Sequence, residues 1–169
     1  MLQRELYPFR KEKRFALWTT EKFMNKKGII MTINQLSIFI ENKSGALIKV
    51  LDLLSQEGVQ IIASTIADTS EFGIYRVICN EPSKAYNILK NNNINVQLTD
   101  VLAVQIEDEP GKAAHVIDLF TKAGVNVAYM YSFLFKGKGV LILKVNPLDK
   151  AKEIIMLEKI SFVTTEDLK

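Results

Sequence analysis

Residues 41–61 read ENKSGALIKVLDLLSQEGVQI, and residues 107–127 read EDEPGKAAHVIDLFTKAGVNV. Each stretch leaves an alternating apolar segment, turns through Gly45 or Gly111, and then runs on at helical spacing. In the first, Leu47, Val50, Leu51 and Leu54 recur at the i, i+3, i+4, i+7 positions of one helix face. Gly58 and Gly124 are the stop signals, and a valine follows each. The stretches lie 66 residues apart, and the match extends outward without a gap, so that Leu36 to Asp100 lies on Leu102 to Glu166. Identical pairs include Glu41/Glu107, Asp52/Asp118, Gly73/Gly139, Asn80/Asn146 and Lys84/Lys150. A repeat of this length is a small domain rather than a solenoid unit. The chain is therefore two copies of one fold, and function is expected where the copies meet.

Within copy one, Leu36, Ile38 and Ile40 share a face at period two, which predicts a strand over residues 35–41. Asn42 or Ser44 is expected to cap the helix that starts near Gly45. Residues 59–67 and 74–79 read as two further strands around a hairpin loop at 68–73. Pro82 opens a second helix at its first turn, where a missing N–H costs nothing. Residues 96–99 read as a fourth strand. Copy two repeats the order with strands at 101–107, 125–135, 140–145 and 162–165, and helices near 111–123 and 148–159. The order βαββαβ, twice, predicts an α+β fold of two ferredoxin-like sandwiches in tandem, their antiparallel sheets joined side by side. The expected divisions are a leader over 1–31, a first domain over 32–100 and a second over 101–169. Thr99-Asp100-Val101 leaves almost no linker, so the last strand of copy one runs straight into the first of copy two.

The net charge of +3 hides an uneven distribution. Residues 1–30 carry eight Lys/Arg and three acids, a charge of +5, and the remainder carries 14 − 16 = −2. The repeated part thus lacks the basic surface that nucleic acid requires. The leader contains no 7–15-residue apolar stretch and is not a secretory signal. It is expected to be a poorly ordered tail or translated sequence upstream of a start at Met31. The single cysteine, Cys79, permits no intrachain disulfide and no multi-cysteine metal site, which suits a reducing, cytoplasmic compartment. No apolar run approaches the ~20 residues of a membrane span.

The two quoted stretches resemble the ACT domain, whose typical line is N/D-x-P-G-x-L, an amphipathic helix, then G-I/V-N-I. The resemblance covers about residues 32–167. Asp108-Glu-Pro-Gly111 and Gly124-Val-Asn-Val127 match closely; Ser44 stands where Pro110 does in copy two, and Gln60 where Asn126 does. It implies a regulatory module without catalytic activity or cofactor, which binds an amino acid, branched-chain or aromatic, at the interface of the two domains. It also implies pairing of the domains within one chain, self-association into a homodimer, and service to a metabolic enzyme. The rival expectation is a ligand-free regulatory subunit of an enzyme such as a branched-chain synthase. Two physical features support a ligand site. A glycine just after a strand lets the backbone approach a ligand closely. The N–H groups of the first helical turn, at Ala46 and Leu47 or Lys112 and Ala113, attract a carboxylate. Asn42 or Asp108 suits an α-ammonium. Leu47, Ile61 and Ile62, or Ala113, Val127 and Ala128, would form an apolar wall. The candidate site is therefore Asn42, Ser44, Gly45, Ala46, Leu47, Ile61 and Ile62 in copy one. In copy two it is Asp108, Pro110, Gly111, Lys112, Ala113, Asn126, Val127 and Ala128.

Catalytic chemistry finds few candidates. His115, the sole histidine, falls off the apolar helix face. Cys79 lies in a strand where copy two has Val145, the place of a packed thiol. Asp52 and Asp118 recur on the expected solvent side of their helices. Lys136-Gly-Lys-Gly139 lacks the Ser/Thr and helix of a phosphate loop and reads as a hairpin turn. Glu71-Phe-Gly-Ile-Tyr-Arg76 faintly resembles an RNA-stacking strand, but its counterpart carries no aromatic. Tyr129, Tyr131, Phe133 and Phe135 alternate along one strand face. They are expected either under the helices or on a sheet surface that joins two chains.

Overall fold

The computed structural model describes residues 30–68 and 72–168; the leader expected over 1–31 lies almost wholly outside them. Residues 31–169 form one compact unit. Its elements in chain order are β1 (Thr32–Glu41), α1 (Ala46–Gln56), β2 (Ile61–Asp68), β3 (Phe72–Cys79), α2 (Pro82–Asn91), β4 (Val96–Ile106), α3 (Lys112–Lys122), β5 (Asn126–Phe135), β6 (Lys138–Asn146) and α4 (Leu148–Leu157). A 3₁₀ turn, Glu166–Leu168, follows. The strands build a six-stranded antiparallel sheet in the order β2-β3-β1-β4-β6-β5.

The absent linker takes its expected form. The fourth strand of copy one and the first of copy two are one strand, β4, which pairs with β1 over Val96 to Leu102 and with β6 over Leu102 to Ile106. The same interactions recur 66 residues on: Phe39 N–H donates to Asn95 O at 2.9 Å, and Gln105 N–H to Ser161 O at 2.8 Å. The strand expected at 162–165 shrinks, however, to a single bridge between Val104 and Phe162. The chain turns at Thr164, whose N–H and hydroxyl both bind the Asp167 carboxylate, and this turn ends the pairing.

Register sorts the side chains onto two faces, since directly opposite residues in an antiparallel pair point the same way. On one face Leu36, Ile38, Ile40, Tyr75 and Val77 pack beneath Val50 and Leu54 of α1 and Ala85 and Leu89 of α2. On the same face Leu102, Val104, Leu141 and Leu143 pack beneath Val116 and Phe120 of α3 and Ala151 and Ile155 of α4. All four helices therefore cover one side of the sheet. The alternation that identified the first strand marks this side.

The opposite face is also buried. Ile33, Ala63, Ile78, Val101, Ala103, Val140 and Ile142, from five strands, form one cluster with Val163 and Leu168 of the C-terminal segment. In a flat sheet β3 and β5 would be four strands apart, about 19 Å. Yet the Arg76 guanidinium of β3 lies 4.1 Å from the Tyr129 ring centroid of β5. The sheet coils until its two halves meet across the helix-free side. Divergence between the copies makes this possible: β2 offers Ala63, Thr65 and Ala67 where β5 offers Tyr129, Tyr131 and Phe133. Large rings from one edge fill the space left by small residues at the other. Tyr131, Phe133 and Phe135 are thus half-buried in this second core, away from the helices.

Candidate functional site

The two glycine turns are near-identical. Gly45 sits at φ 87°, ψ −16° and Gly111 at φ 88°, ψ −15°, the left-handed region that favours glycine. Each is the N-cap of its helix, and neither helix has a side-chain cap hydrogen bond. The N-cap position expected of Asn42 or Ser44 is thus taken by a glycine. A left-handed glycine instead starts the helix, with Ala46 N–H bonded to Lys43 O at 3.2 Å and Lys112 N–H to Glu109 O at 3.3 Å. The next bonded N–H groups are those of Lys49 and His115, which donate to the glycine carbonyls. Among the described residues no backbone carbonyl accepts from Leu47 and Ile48, or from Ala113 and Ala114. A Cβ at either glycine would meet nothing within 4 Å. The space beyond each glycine is open.

Their charges differ. In copy one Lys43 is ion-paired with Glu41. In copy two Lys112 is ion-paired with Glu107 and, at 3.3 Å, with Glu109. The hydrogen bond from Lys112 holds the Glu107 carboxyl below its usual range, and Glu107 in turn raises the Lys112 ammonium. With Asp108 exposed beside them, the second turn is the more acidic.

The expected site residues do not all assemble. Glu41 lies three residues beyond one end of the β1–β4 pairing and Ile106 four beyond the other, so the two turns leave opposite ends of the sheet. Thirteen residues of strand separate them, about 43 Å at ~3.3 Å per residue. Nor do the walls close over the turns. Leu47 and Ile61 pack into the core of copy one, while Ile62 joins the helix-free core. Ala113 and Val127 pack into the core of copy two, and Ala128 is exposed. Pro110, like Asp108, is exposed in its turn.

Ile61, Asn126 and Val127 instead line two open grooves at the far end of the same helices. One, of about 420 Å³, is bounded by Leu51, Ser55, Gly58, Gln60 and Ile61. The other, of about 450 Å³, is bounded by Ile117, Thr121, Gly124, Asn126 and Val127. The grooves are copies of each other, and each lies one helix length, about 16 Å, from its glycine turn. Here two unexplained repeat identities find a use. Asn80 Oδ1 accepts from Gln60 N–H at 3.0 Å, and Lys84 Nζ donates to Glu57 O at the end of α1 at 2.6 Å. Identity across the copies, at Asn80/Asn146 and Lys84/Lys150, was the available signal.

A polar cluster on the helix-free face was not foreseen. Gln35 is fully buried. Its Nε2 donates to Ser37 Oγ at 3.1 Å and to the Tyr129 hydroxyl at 2.8 Å, and its Oε1 accepts from the Tyr131 hydroxyl at 3.0 Å. Burial pushes the Tyr131 phenol well above its ordinary range; nearby Tyr129 adds to this and Arg76 opposes it. The signal was disagreement between copies, since Gln35, Ser37 and Arg76 stand opposite Val101, Ala103 and Ile142.

The remaining candidates fall as follows. His115 is exposed, as are Asp52 and Asp118, the latter paired with Lys122 at 2.6 Å. Cys79 is buried, and desolvation pushes its thiol up to about 11. Lys136 and Gly137, both at positive φ, form the two-residue β5–β6 hairpin turn. Among the described residues no helix is long and apolar enough to cross a membrane.

The family described as "ACT domain pair" matches residues 31–169. The chain is similar to the crystal structure of protein BT0572 from Bacteroides thetaiotaomicron, with 37% identity and a TM-score of 0.78 over 82% of this chain and 96% of that one. It shares its fold with the regulatory subunit of aspartate kinase from Thermus thermophilus in a ligand-free form, at 12% identity and a TM-score of 0.56 over 75% and 90% of the two chains. The corresponding subunit from Thermus flavus gives 13% identity and 0.54 over 73% and 88%. No curated protein sequence matches.

Proposed function

The chain belongs to the family of ACT domain pairs, and from that premise we propose that it is a regulatory module that binds an amino acid and performs no catalysis itself. The observation that carries this is the glycine turn, kept in both copies at the same left-handed geometry with open space beyond it. Uncovered N–H groups at a helix N-terminus attract an α-carboxylate. Asn42 in one turn and Asp108 in the other provide an oxygen for an α-ammonium. Because the turns lie at opposite ends of the sheet, this reading gives two ligand positions, each completed by its surroundings rather than by the other turn. A branched-chain or aromatic side chain suits the apolar flanks at Leu47 and Ala113. Self-association fits the edge strands, where Ile66 of β2 and Met130 and Leu134 of β5 expose large apolar side chains. A reducing, cytoplasmic setting fits the single buried thiol.

The second reading is a regulatory subunit with no ligand of its own, working through a partner enzyme. It is favoured by the burial of Leu47, Ile61, Ala113 and Val127 in the cores, which leaves little apolar wall for a ligand. Calorimetric titration of an amino acid into wild type, Gly45→Ala and Gly111→Ala separates the two. The ligand reading expects folded variants with affinity reduced at least tenfold. Unchanged affinity in both would move the site away from the turns, and no heat with wild type would favour the partner reading.

A further inference from the structure

We propose that Arg76, Tyr129 and Ser37 form the donor side of a carboxylate site on the helix-free face, built jointly by the two copies and distinct from the glycine turns. The argument is an inventory of protons. Both Gln35 amide hydrogens are spent, on Ser37 and Tyr129, and the Tyr131 hydroxyl hydrogen is spent on Gln35. Ser37 and Tyr129 accept in these bonds, so each retains a hydroxyl hydrogen to donate. Arg76 Nε is buried with no acceptor, and no carboxylate among the described residues is ion-paired with the guanidinium. Its observed partner is the Tyr129 ring, 4.1 Å away. The ring covers one face of the guanidinium and gives its Nε–H no acceptor. The cluster is thus rich in donors and short of acceptors, and a buried Nε–H without an acceptor, on a half-buried arginine, is costly.

An acceptor-only group with a negative charge supplies what is missing, and a planar carboxylate matches the fork of an arginine edge. The surrounding charges agree. Lys144, opposite Tyr129 on β6, adds a second cation, its Nζ 3.2 Å from Asp100 O. The acid nearest by register on this face is Glu41, four residues along β1 from Ser37 and already ion-paired with Lys43. The equivalent positions in the other half are Ile142 for Arg76, Ala63 for Tyr129 and Ala103 for Ser37, so there is one such site per chain.

The test titrates isovalerate, and isovaleramide as its uncharged counterpart, into the full chain by calorimetry. The carboxylate should bind at one site per chain and the amide at least tenfold more weakly. Arg76→Met should abolish the binding. Tyr129→Phe, which keeps the ring on Arg76 and removes one donor, should weaken it about tenfold and remains informative if Arg76→Met fails to fold. Absence of isovalerate binding to wild type overturns the proposal. So does binding that survives Tyr129→Phe at full strength.

Discussion

The side-chain amide of Asn34 donates a 2.7 Å hydrogen bond to the carboxylate of Asp100, and the two residues are copies of each other, 66 positions apart. They are also directly opposite in the β1–β4 ladder. A residue that pairs with its own copy marks a two-fold axis, so the pseudo-dyad of the chain passes through this pair. The pairs Leu36–Leu98 and Thr32–Leu102 are exchanged by the same operation. The copies share a strand and an axis, and the axis runs through the sheet rather than through a loop.

Asp100→Ala should therefore loosen the join between the copies. The bond is solvent-exposed, which limits the loss to about 0.5–1 kcal/mol in urea denaturation. Asn34→Asp should be worse at low salt, because it sets two carboxylates opposite each other, and salt should relieve the deficit.

The glycine turns make a second stability prediction. Gly45→Ala and Gly111→Ala meet no steric neighbour, so their whole cost is backbone strain at positive φ. That is about 1–3 kcal/mol each, additive in the double variant because the sites are far apart. Near-zero cost by denaturant titration would show that the turns relax freely.

Cys79 gives a pH prediction. Burial raises the thiol from its ordinary 9.0 to about 11 in the folded chain. The folded state then holds a proton that the unfolded state has released. The contribution is intact below pH ~9 and is lost as pH rises through about 11. Cys79→Val, which installs the residue of the other copy at Val145, should flatten the fall in melting temperature over that window. The same burial predicts slow reaction of the thiol with disulfide reagents at pH 8 in the folded chain.

A chain beginning at Met31 should melt at the same temperature as the full chain. The repeat is complete without the leader, and Met31 itself is buried in the core of copy two. A large fall in melting temperature or solubility would show that residues 1–30 support the repeat.

Sequence reading reached the elements and their order because the helix-facing side is written plainly, in Leu36, Ile38 and Ile40 and in the spacing of Val50 and Leu54. It reached the fused strand because three residues leave no room for a linker. The helix-free core was not legible. Ile33, Gln35 and Ser37 follow no apolar alternation, and their burial depends on coiling that brings β5 across from the far edge of the sheet. Capping by Asn42 or Ser44 was a sound local expectation. It gave way to a left-handed glycine, whose φ no neighbouring residue announces. The site was legible only in part. The motif points to Gly45 and Gly111, but where Ile61 and Val127 lie relative to those turns is set by helix length.

A thermal-shift screen of the full chain against the twenty amino acids tests the central claim most directly. Ligand binding to the folded state alone stabilises it by RT ln(1 + [L]/Kd), about 2.7 kcal/mol at a hundredfold excess over Kd. The account predicts that at least one amino acid, branched-chain or aromatic, raises the melting temperature by several degrees. No shift with any of the twenty at millimolar concentration would contradict it.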